Sequence, residues 1–473
     1  MSKIIKITLV AVGAIIGILV LLASVTALVL RVNAKERLEA IASQTLGMDV
    51  RIGGPPVISY FPGLRLALAD VHVRKGPAEL ASAGEVDLGI ELLPLLRKQL
   101  IADRIDLKRL TVALERDQSG QLEVGGPIAA GRALPALTVT NVSVSDATFA
   151  YADRRSGLGL DATACNLDVG HLQLSSGQSP DLLKNLSFAA TLDCGRIHTK
   201  DFEASDVKLF IEGKNGIVAF GPVTMQLFGG HGSGDIRADL SGSAPTYHVR
   251  YRLTQFHIED FFRNVSPKSI GTGSMDFSAT LSLRGKTTDA LVASIDGVAS
   301  LHGNNLILAI GDLDSNLSRY ESSQSFNLID FGAFFFAGPL GLAVTKSYNY
   351  ARIFQGAAGT TSIGTLASEW QVAHGVAQAT DVAMATPKNR VALKGGLDFV
   401  SGRYDQVIVA VIDAKGCAIV QQKVNGPFLN PILENPNIVG TITGPVRTLL
   451  RQARSLLGGK CAVFYSGSVA SPK

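Results

Sequence analysis

The residues able to do chemistry do not converge on any recognisable reaction centre. The eight histidines, His72, His171, His198, His231, His248, His257, His302 and His374, are scattered, with no His pair at ligand spacing and no Cys-x-x-Cys. Gly271-Thr272-Gly273 is followed by Asp276 where a dinucleotide fingerprint needs its third Gly, and it precedes a strand pattern. Gly229-Gly230-His231-Gly232-Ser233-Gly234 lacks the Gly-Lys-Ser/Thr ending of a phosphate loop, so both Gly clusters read as turns. No Gly-x-Ser-x-Gly elbow occurs. Ser205 and Lys208 stand three apart, as in some acylating enzymes, but in a regular strand that spacing points the two side chains to opposite faces. The sequence gives no positive reason to call the chain an enzyme, and neither a metal nor an organic cofactor is expected.

Cysteine is the informative residue type. Cys165, Cys194, Cys417 and Cys461 form two local pairs, which suits an oxidising compartment. The alternative is four buried apolar thiols. The sharpest expectation is a Cys417–Cys461 disulfide, each partner beside a Gly-containing turn and an apolar strand, holding a terminal strand that would otherwise fray. Cys165 with Cys194 is the second expected bridge.

All four cysteines follow one element that must be positioned first. Residues 7–30 are a 24-residue run without charge. As a helix it would span about 36 Å, enough to cross a hydrocarbon core of about 30 Å. It is too long for a typical cleaved signal peptide, so residues 1–34 read as a short tail and a single transmembrane anchor. Flanking charges are balanced, with Lys3 and Lys6 before the run and Arg31, Lys35 and Arg37 after it. Residues 326–344 carry Asn327 and Asp330 and are broken by Gly338-Pro339, which favours a buried amphipathic helix over a second span.

Beyond the anchor, residues 35–46 place Leu38, Ile41, Ala42 and Leu46 at helical spacing before a Gly47 stop. The period then changes to two. Leu64, Leu66 and Leu68 alternate with polar or small residues, then Val71 and Val73, with a phase slip at Ala69-Asp70 that marks a bulge. Val86, Leu88, Ile90 and Leu92, then Ile105 and Leu107, then Val112 and Leu114, repeat the alternation. Leu93-Pro94-Leu95-Leu96 reads as a helical turn, and Asp117-Gln118-Ser119-Gly120 turns the chain. The same pattern continues through most of the remaining sequence, punctuated by Glu212-Gly213-Lys214-Asn215-Gly216, Ser241-Gly242-Ser243, Arg284-Gly285-Lys286 and Ser401-Gly402-Arg403. Further along, short helices are expected at 258–262, 326–336 and 446–457.

The fold expected is therefore mainly β: an elongated, curled antiparallel sheet, since strongly twisted sheets rarely exceed about 10 strands without curling or splitting. The net charge of +4 is small for 473 residues, and no basic run with interleaved aromatics exists, so nucleic acid is not an expected partner.

Two blocks of sequence resemble the AsmA family of bacterial envelope proteins. The first contains the anchor, Gly47-Met48-Asp49-Val50, Phe61-Pro62-Gly63-Leu64, Ala69-Asp70-Val71, Leu93-Pro94-Leu95-Leu96 and Arg116-Asp117-Gln118-Ser119-Gly120. The second contains Asp381-Val382-Ala383-Met384-Ala385-Thr386, Asn389-Arg390-Val391-Ala392, Gly395-Gly396-Leu397-Asp398, Gly416-Cys417, Gly426-Pro427-Phe428 and the run from Lys460-Cys461 to Ser468-Val469.

The resemblance implies an inner-membrane anchor, a periplasmic bulk and a part in outer-membrane biogenesis, with membrane lipid and other envelope proteins as partners. It divides the chain into residues 1–34, an N-terminal β region 35–290 and a C-terminal β region 291–473. The apolar positions near the anchor, Leu64, Leu66, Leu68, Val86, Leu88, Ile90, Ile105 and Leu107, are then expected to face the interior of the curled sheet and to line a lipid groove. The competing expectation is a structural tether or assembly factor whose apolar faces only build its own core.

Overall fold

The computed structural model describes residues 34–59, 64–91, 101–118, 137–154, 157–174, 186–200, 202–263, 271–309, 311–315, 359–428, 430–438 and 461–472. The expected anchor at 7–30, the Leu93–Leu96 turn and the helices at 326–336 and 446–457 lie outside these residues. Among the described residues no helix is long and apolar enough to cross a membrane. The protein is mainly β, as its alternation predicts, with few short helices. It divides into two compact units, residues 1–226 with 233–246, and residues 227–232 with 247–473.

The first unit opens with α1 (Ala34–Leu46), whose Leu38 and Ala42 are buried. The helix stops where Gly47 takes φ +67°, and its N–H donates to Ser43 O at 2.9 Å. Strands β1 (Asp49–Ile52) and β2 (Val57–Ser59) both pair with β3 (Leu64–Lys75). As β1 is an edge strand, two of its amides would be unpaired. The helix supplies their acceptors: Ser43 Oγ for Val50 N–H at 2.9 Å and Glu39 Oε1 for Ile52 N–H at 2.8 Å.

From β3 the sheet runs through β4 (Ala78–Ile90), β5 (Ile101–Arg116), β6 (Leu137–Asp153), β7 (Leu158–Leu174), β8 (Leu186–Thr199), β9 (Glu203–Lys214), β10 (Ile217–Leu227) and β11 (Gly230–Asp239). From β1 to β9 the strand pairs are antiparallel with one exception. Strands β5 and β6 are parallel, from Ile101 opposite Thr138 to Arg116 opposite Asp153, which corrects the uniformly antiparallel expectation. A parallel pair needs a crossover of a dozen or more residues, and the 20 positions between Arg116 and Leu137 suffice. Tight hairpins connect β3 to β4 and β10 to β11. Asn215-Gly216 joins β9 to β10 with both residues at positive φ, the turn whose twist matches the flanking strands.

The long strands of this unit are creased along one transverse band. Asp70, Arg109, Asp146, Ala164 and Asp206 all hold φ near +50°, and each is skipped by its ladder. Glycines occupy the intervening strands. Gly84 lies between the registers of Asp70 and Arg109, and Gly195 between those of Ala164 and Asp206. A Cβ at Gly84 would sit 2.6 Å from the Arg109 guanidinium, which would have to swing aside.

The register runs through the band unshifted in β3–β4, β4–β5, β5–β6, β7–β8 and β8–β9, so every strand carries the extra residue at the same level and the faces are kept. Buried and half-buried apolar positions therefore step by three across the band, as Leu68 to Val71, Leu107 to Leu110, Val144 to Ala147, Ala162 to Cys165 and Cys194 to Ile197. This explains why residues 101–107 and 110–116, two strands in the sequence, are one 16-residue strand bent at Arg109. A left-handed residue interrupts the extended run of its strand, so the crease crosses the sheet of this unit as one line.

The second unit contains β12 (Thr246–His257), α2 (Ile258–Phe262), β13 (Gly271–Thr272), β14 (Ser274–Arg284), α3 (Thr288–Ala293), β15 (Asp296–Leu308), β16 (Thr361–Ala373), β17 (Val376–Ala385), β18 (Arg390–Asp398), β19 (Arg403–Ile412) and β20 (Ala418–Pro427). Short strands β21 (Ile432–Leu433) and β22 (Asn437–Ile438) pair with β20, and Pro431 and Pro436 blunt this edge. One face of these strands packs a single apolar core that includes Phe256, Phe261, Leu301, Trp370, Met384 and Val409. Helix α3 is capped by Thr287 Oγ1, which accepts from Ala290 N–H at 3.2 Å.

Candidate functional site

Cross-strand registers line up two apolar rows on one face of the first unit. Leu66 opposes Leu88, Leu88 opposes Ile105, and Ile105 neighbours Val142, which continues through Val169 and Ala190 to Ile211. The parallel row is Leu68, Val86, Leu107, Val144, Leu167, Leu192 and Leu209. Leu64 opposes Ile90 beside the first row, though the Ile90 side chain lies outside the description. The structure thus brings the sequence-selected positions onto one face. Six strand-to-strand steps of about 4.8 Å make each row about 29 Å long.

Exposure along the second row is graded. Leu68, Val86, Leu107 and Val144 are buried, as are Leu88 and Ile105 of the first row, at 1% and 0% exposed. At β7 to β9 the row opens: Leu167, Leu192 and Leu209 are half-buried. The selected positions therefore form the closed end of an apolar strip whose open end, three strands away, was not singled out. The signal for that end was present, since Leu167 with Val169 and Leu209 with Ile211 follow the same alternation.

Cys165 and Cys194 sit on this same face, at the crease, directly opposite one another. They form a disulfide with Cα atoms 4.0 Å apart, so the second expected bridge is present. The other face of these strands is solvated and ionic: Glu85 accepts from Lys108 at 2.8 Å and Arg109 at 3.2 Å. Those hydrogen bonds, that from Lys108 foremost, hold its carboxyl below the usual range. Ser205 and Lys208 need a correction, because the left-handed residue Asp206 between them puts both on the solvated face instead of on opposite ones. Lys208 lies 4.0 Å from Asp193 across the strand pair. Among the described residues no group of His, Cys, Asp and Glu is arranged to hold a metal ion.

The second unit carries a different feature on the face away from its core. Ala367, Ala383, Ala392 and Ala410 are directly opposite one another on β16, β17, β18 and β19, a transverse row of methyl groups. Residues 461–472 lie over it, with Tyr465 and Val469 packed on these alanines and on Ala385 and Ile412. Small floor residues make room for a backbone to cross. The strap is rooted by the Cys417–Cys461 disulfide, Cα–Cα 6.2 Å, and by Phe464 and Tyr465 N–H donating to Gly416 O at 2.7 and 3.0 Å.

Further along the strap, Tyr465 Oη donates to Asp381 Oδ1 at 2.5 Å and accepts from Val469 N–H at 3.0 Å, and Ser468 N–H donates to Asp381 Oδ2 at 2.9 Å. Arg390 donates to Val469 O and to Asp413 O, each at 2.8 Å, and its guanidinium lies 5.4 Å from the centre of the Tyr465 ring. Burial pushes Asp381 up, but the Tyr465 and Ser468 hydrogen bonds outweigh it and hold the carboxyl below its usual range. Burial, then the Asp381 bond, pushes the Tyr465 hydroxyl up to about 12. The expected terminal strand is thus a strap: it makes one isolated bridge, Val463 with Cys417, and crosses the sheet. The residues of the second sequence block, Asp381, Arg390, Gly416-Cys417 and 461–469, assemble here.

A family model for the AsmA family matches residues 1–178 and 134–322. The chain belongs to the AsmA family. This AsmA-family protein is thereby associated with the cell envelope. No curated protein matches it significantly.

Proposed function

We propose that this AsmA-family protein holds membrane lipid against the apolar strip of its first unit and serves outer-membrane biogenesis from the periplasmic side of the inner membrane, with residues 7–30 as its anchor. Family membership fits envelope biogenesis, and two disulfides fit an oxidising compartment.

The observation that carries the lipid reading is the graded row from Leu68 to Leu209: apolar across seven strands, closed at β3 to β6 and half-open at β7 to β9. A strip of about 29 Å is roughly twice the depth of one lipid leaflet, about 15 Å, so an acyl chain could lie along it. Each buried CH₂ contributes about 0.8 kcal/mol, while the headgroup stays at the wet edge. Leu66, Leu88 and Ile105 are core in this reading, and Leu167, Leu192 and Leu209 touch the ligand.

Charged substitutions at the two ends test it. Full-length protein carrying Leu192→Glu is expected to fold and to lose most of the phospholipid that mass spectrometry finds on the unaltered protein, whereas Leu88→Glu is expected not to fold. Folded Leu192→Glu protein with an unchanged lipid complement would leave the strip as nothing more than core, the tether reading.

A further inference from the structure

The two disulfides sit in physically different places. Cys165 and Cys194 are 0% and 2% exposed on the apolar face between two long paired strands. Sulfur there is reached only by separating the strands. Cys417 is also buried, but Cys461 is half-exposed, and its bond to Cys417 closes the root of the strap rather than lying within the sheet. The strap itself is bound by side chains and single backbone contacts, not by a ladder. A thiol can therefore reach one bridge without unfolding a sheet, and breaking that bridge frees a segment the fold does not need for strand pairing.

We infer that Cys417–Cys461 is an exchangeable disulfide, the substrate of a dithiol partner protein, and that the exchange sets how firmly the strap covers the alanine floor. A partner thiolate attacks Sγ of Cys461, the less buried residue of the pair. The Cys417–Cys461 bond breaks, a mixed disulfide forms on Cys461, and Cys417 leaves as a thiolate that takes up a proton. The partner's second thiolate then attacks its own sulfur in the mixed disulfide. Cys461 is released as a thiol, and the partner keeps a disulfide. Two electrons pass from partner to strap root, and an oxidised partner reverses the sequence.

The bridge spans 44 positions. In the chain-entropy model its loss weakens strap docking roughly 10³-fold. Tyr465, Val469 and the Asp381 and Arg390 bonds remain, so the reduced strap opens and recloses. When open it bares Ala367, Ala383, Ala392 and Ala410, an apolar band absent from the oxidised surface.

The test uses the full chain in detergent, titrated with dithiothreitol under native conditions, alkylated and mapped by mass spectrometry. Cys417 and Cys461 should label at dithiol concentrations that leave Cys165–Cys194 intact. Chymotryptic cleavage after Phe464 and Tyr465 should rise at least tenfold in step. A thioredoxin-fold probe whose resolving cysteine is replaced by Ser should be trapped on Cys461 and not on Cys417. Reduction of both bridges together, reduction of Cys165–Cys194 first, an unchanged cleavage rate once Cys417–Cys461 is open, or trapping on Cys417 would each overturn the inference. All readouts use unaltered protein, so no outcome depends on whether a cysteine variant folds.

Discussion

Tyr465→Phe removes one oxygen and should unlock the strap. The Tyr465 hydroxyl donates to Asp381 at 2.5 Å and accepts from the Val469 amide at 3.0 Å, so its loss strips a carboxylate of a donor and leaves an amide on a buried residue unpaired. A hydrogen bond to a charged group contributes about 1.5–3 kcal/mol, and an unsatisfied buried donor costs about 1–3 kcal/mol. Because the two bonds share one atom and solvent reaches the Asp381 side, about 2–4 kcal/mol is expected for the pair. Hydrogen exchange of residues 463–470, followed by mass spectrometry, should accelerate roughly 30- to 900-fold, while exchange of β16 to β19 stays unchanged. The pH dependence follows from the same atoms. Asp381 is depressed in the folded protein, so its contribution is complete above the unfolded carboxylate value of about 3.9 and is lost as pH falls through the lower folded value. Tyr465 is raised to about 12, so its contribution is complete below about 10 and is lost as pH rises through about 12. Strap protection should be flat between those limits. Wild-type exchange rates in Tyr465→Phe, or a transition in strap protection near neutral pH, would refute the reasoning.

Ala392→Leu places a larger side chain under Tyr465 and Val469, where Ala392 is fully buried; overpacking should cost about 1–3 kcal/mol and show as strap exchange, with the core face untouched. Replacing Cys165 and Cys194 together by Ala should lower the stability of the first unit by about 2–4 kcal/mol in urea denaturation, since their bridge closes a 29-position loop. Gly216→Val forces a β-branched residue to φ +79° in the β9–β10 hairpin and should cost at least about 1–2 kcal/mol, read as a lower denaturation midpoint with unchanged slope.

Most of the strand architecture was legible because one face of each strand is buried, so period two survives in the sequence. The Ala34–Leu46 helix was legible from helical spacing and the Gly47 stop, and the Ile258–Phe262 helix was among the expected short helices. The crease was visible only at Ala69-Asp70. The same three-residue step at Leu107 to Leu110 and at Val144 to Ala147 was open to view, but one step in isolation looks like a strand end, and only the registers show that the steps align. The parallel β5–β6 pair was hidden because local alternation is blind to strand direction. Both disulfides were found from pairing and position. The strap was misread as a strand because Ala462-Val463-Phe464 is apolar and extended; what it lacks is a continuous partner, and its binding site is a row of alanines contributed by four strands that no local pattern joins. The open end of the apolar strip escaped selection because sequence alternation records which face is apolar, not how much of it other residues cover.

The most direct test of lipid contact is a photoreactive side chain placed in turn at Leu167, Leu192 and Leu209, and at the exposed, opposite-face neighbours Asp168 and Thr191, in full-length protein irradiated in the bacterial envelope. Lipid adducts at the three leucine positions and not at Asp168 or Thr191 are the expected result. Adducts absent from all three leucine positions, or equally abundant on both faces, would contradict it.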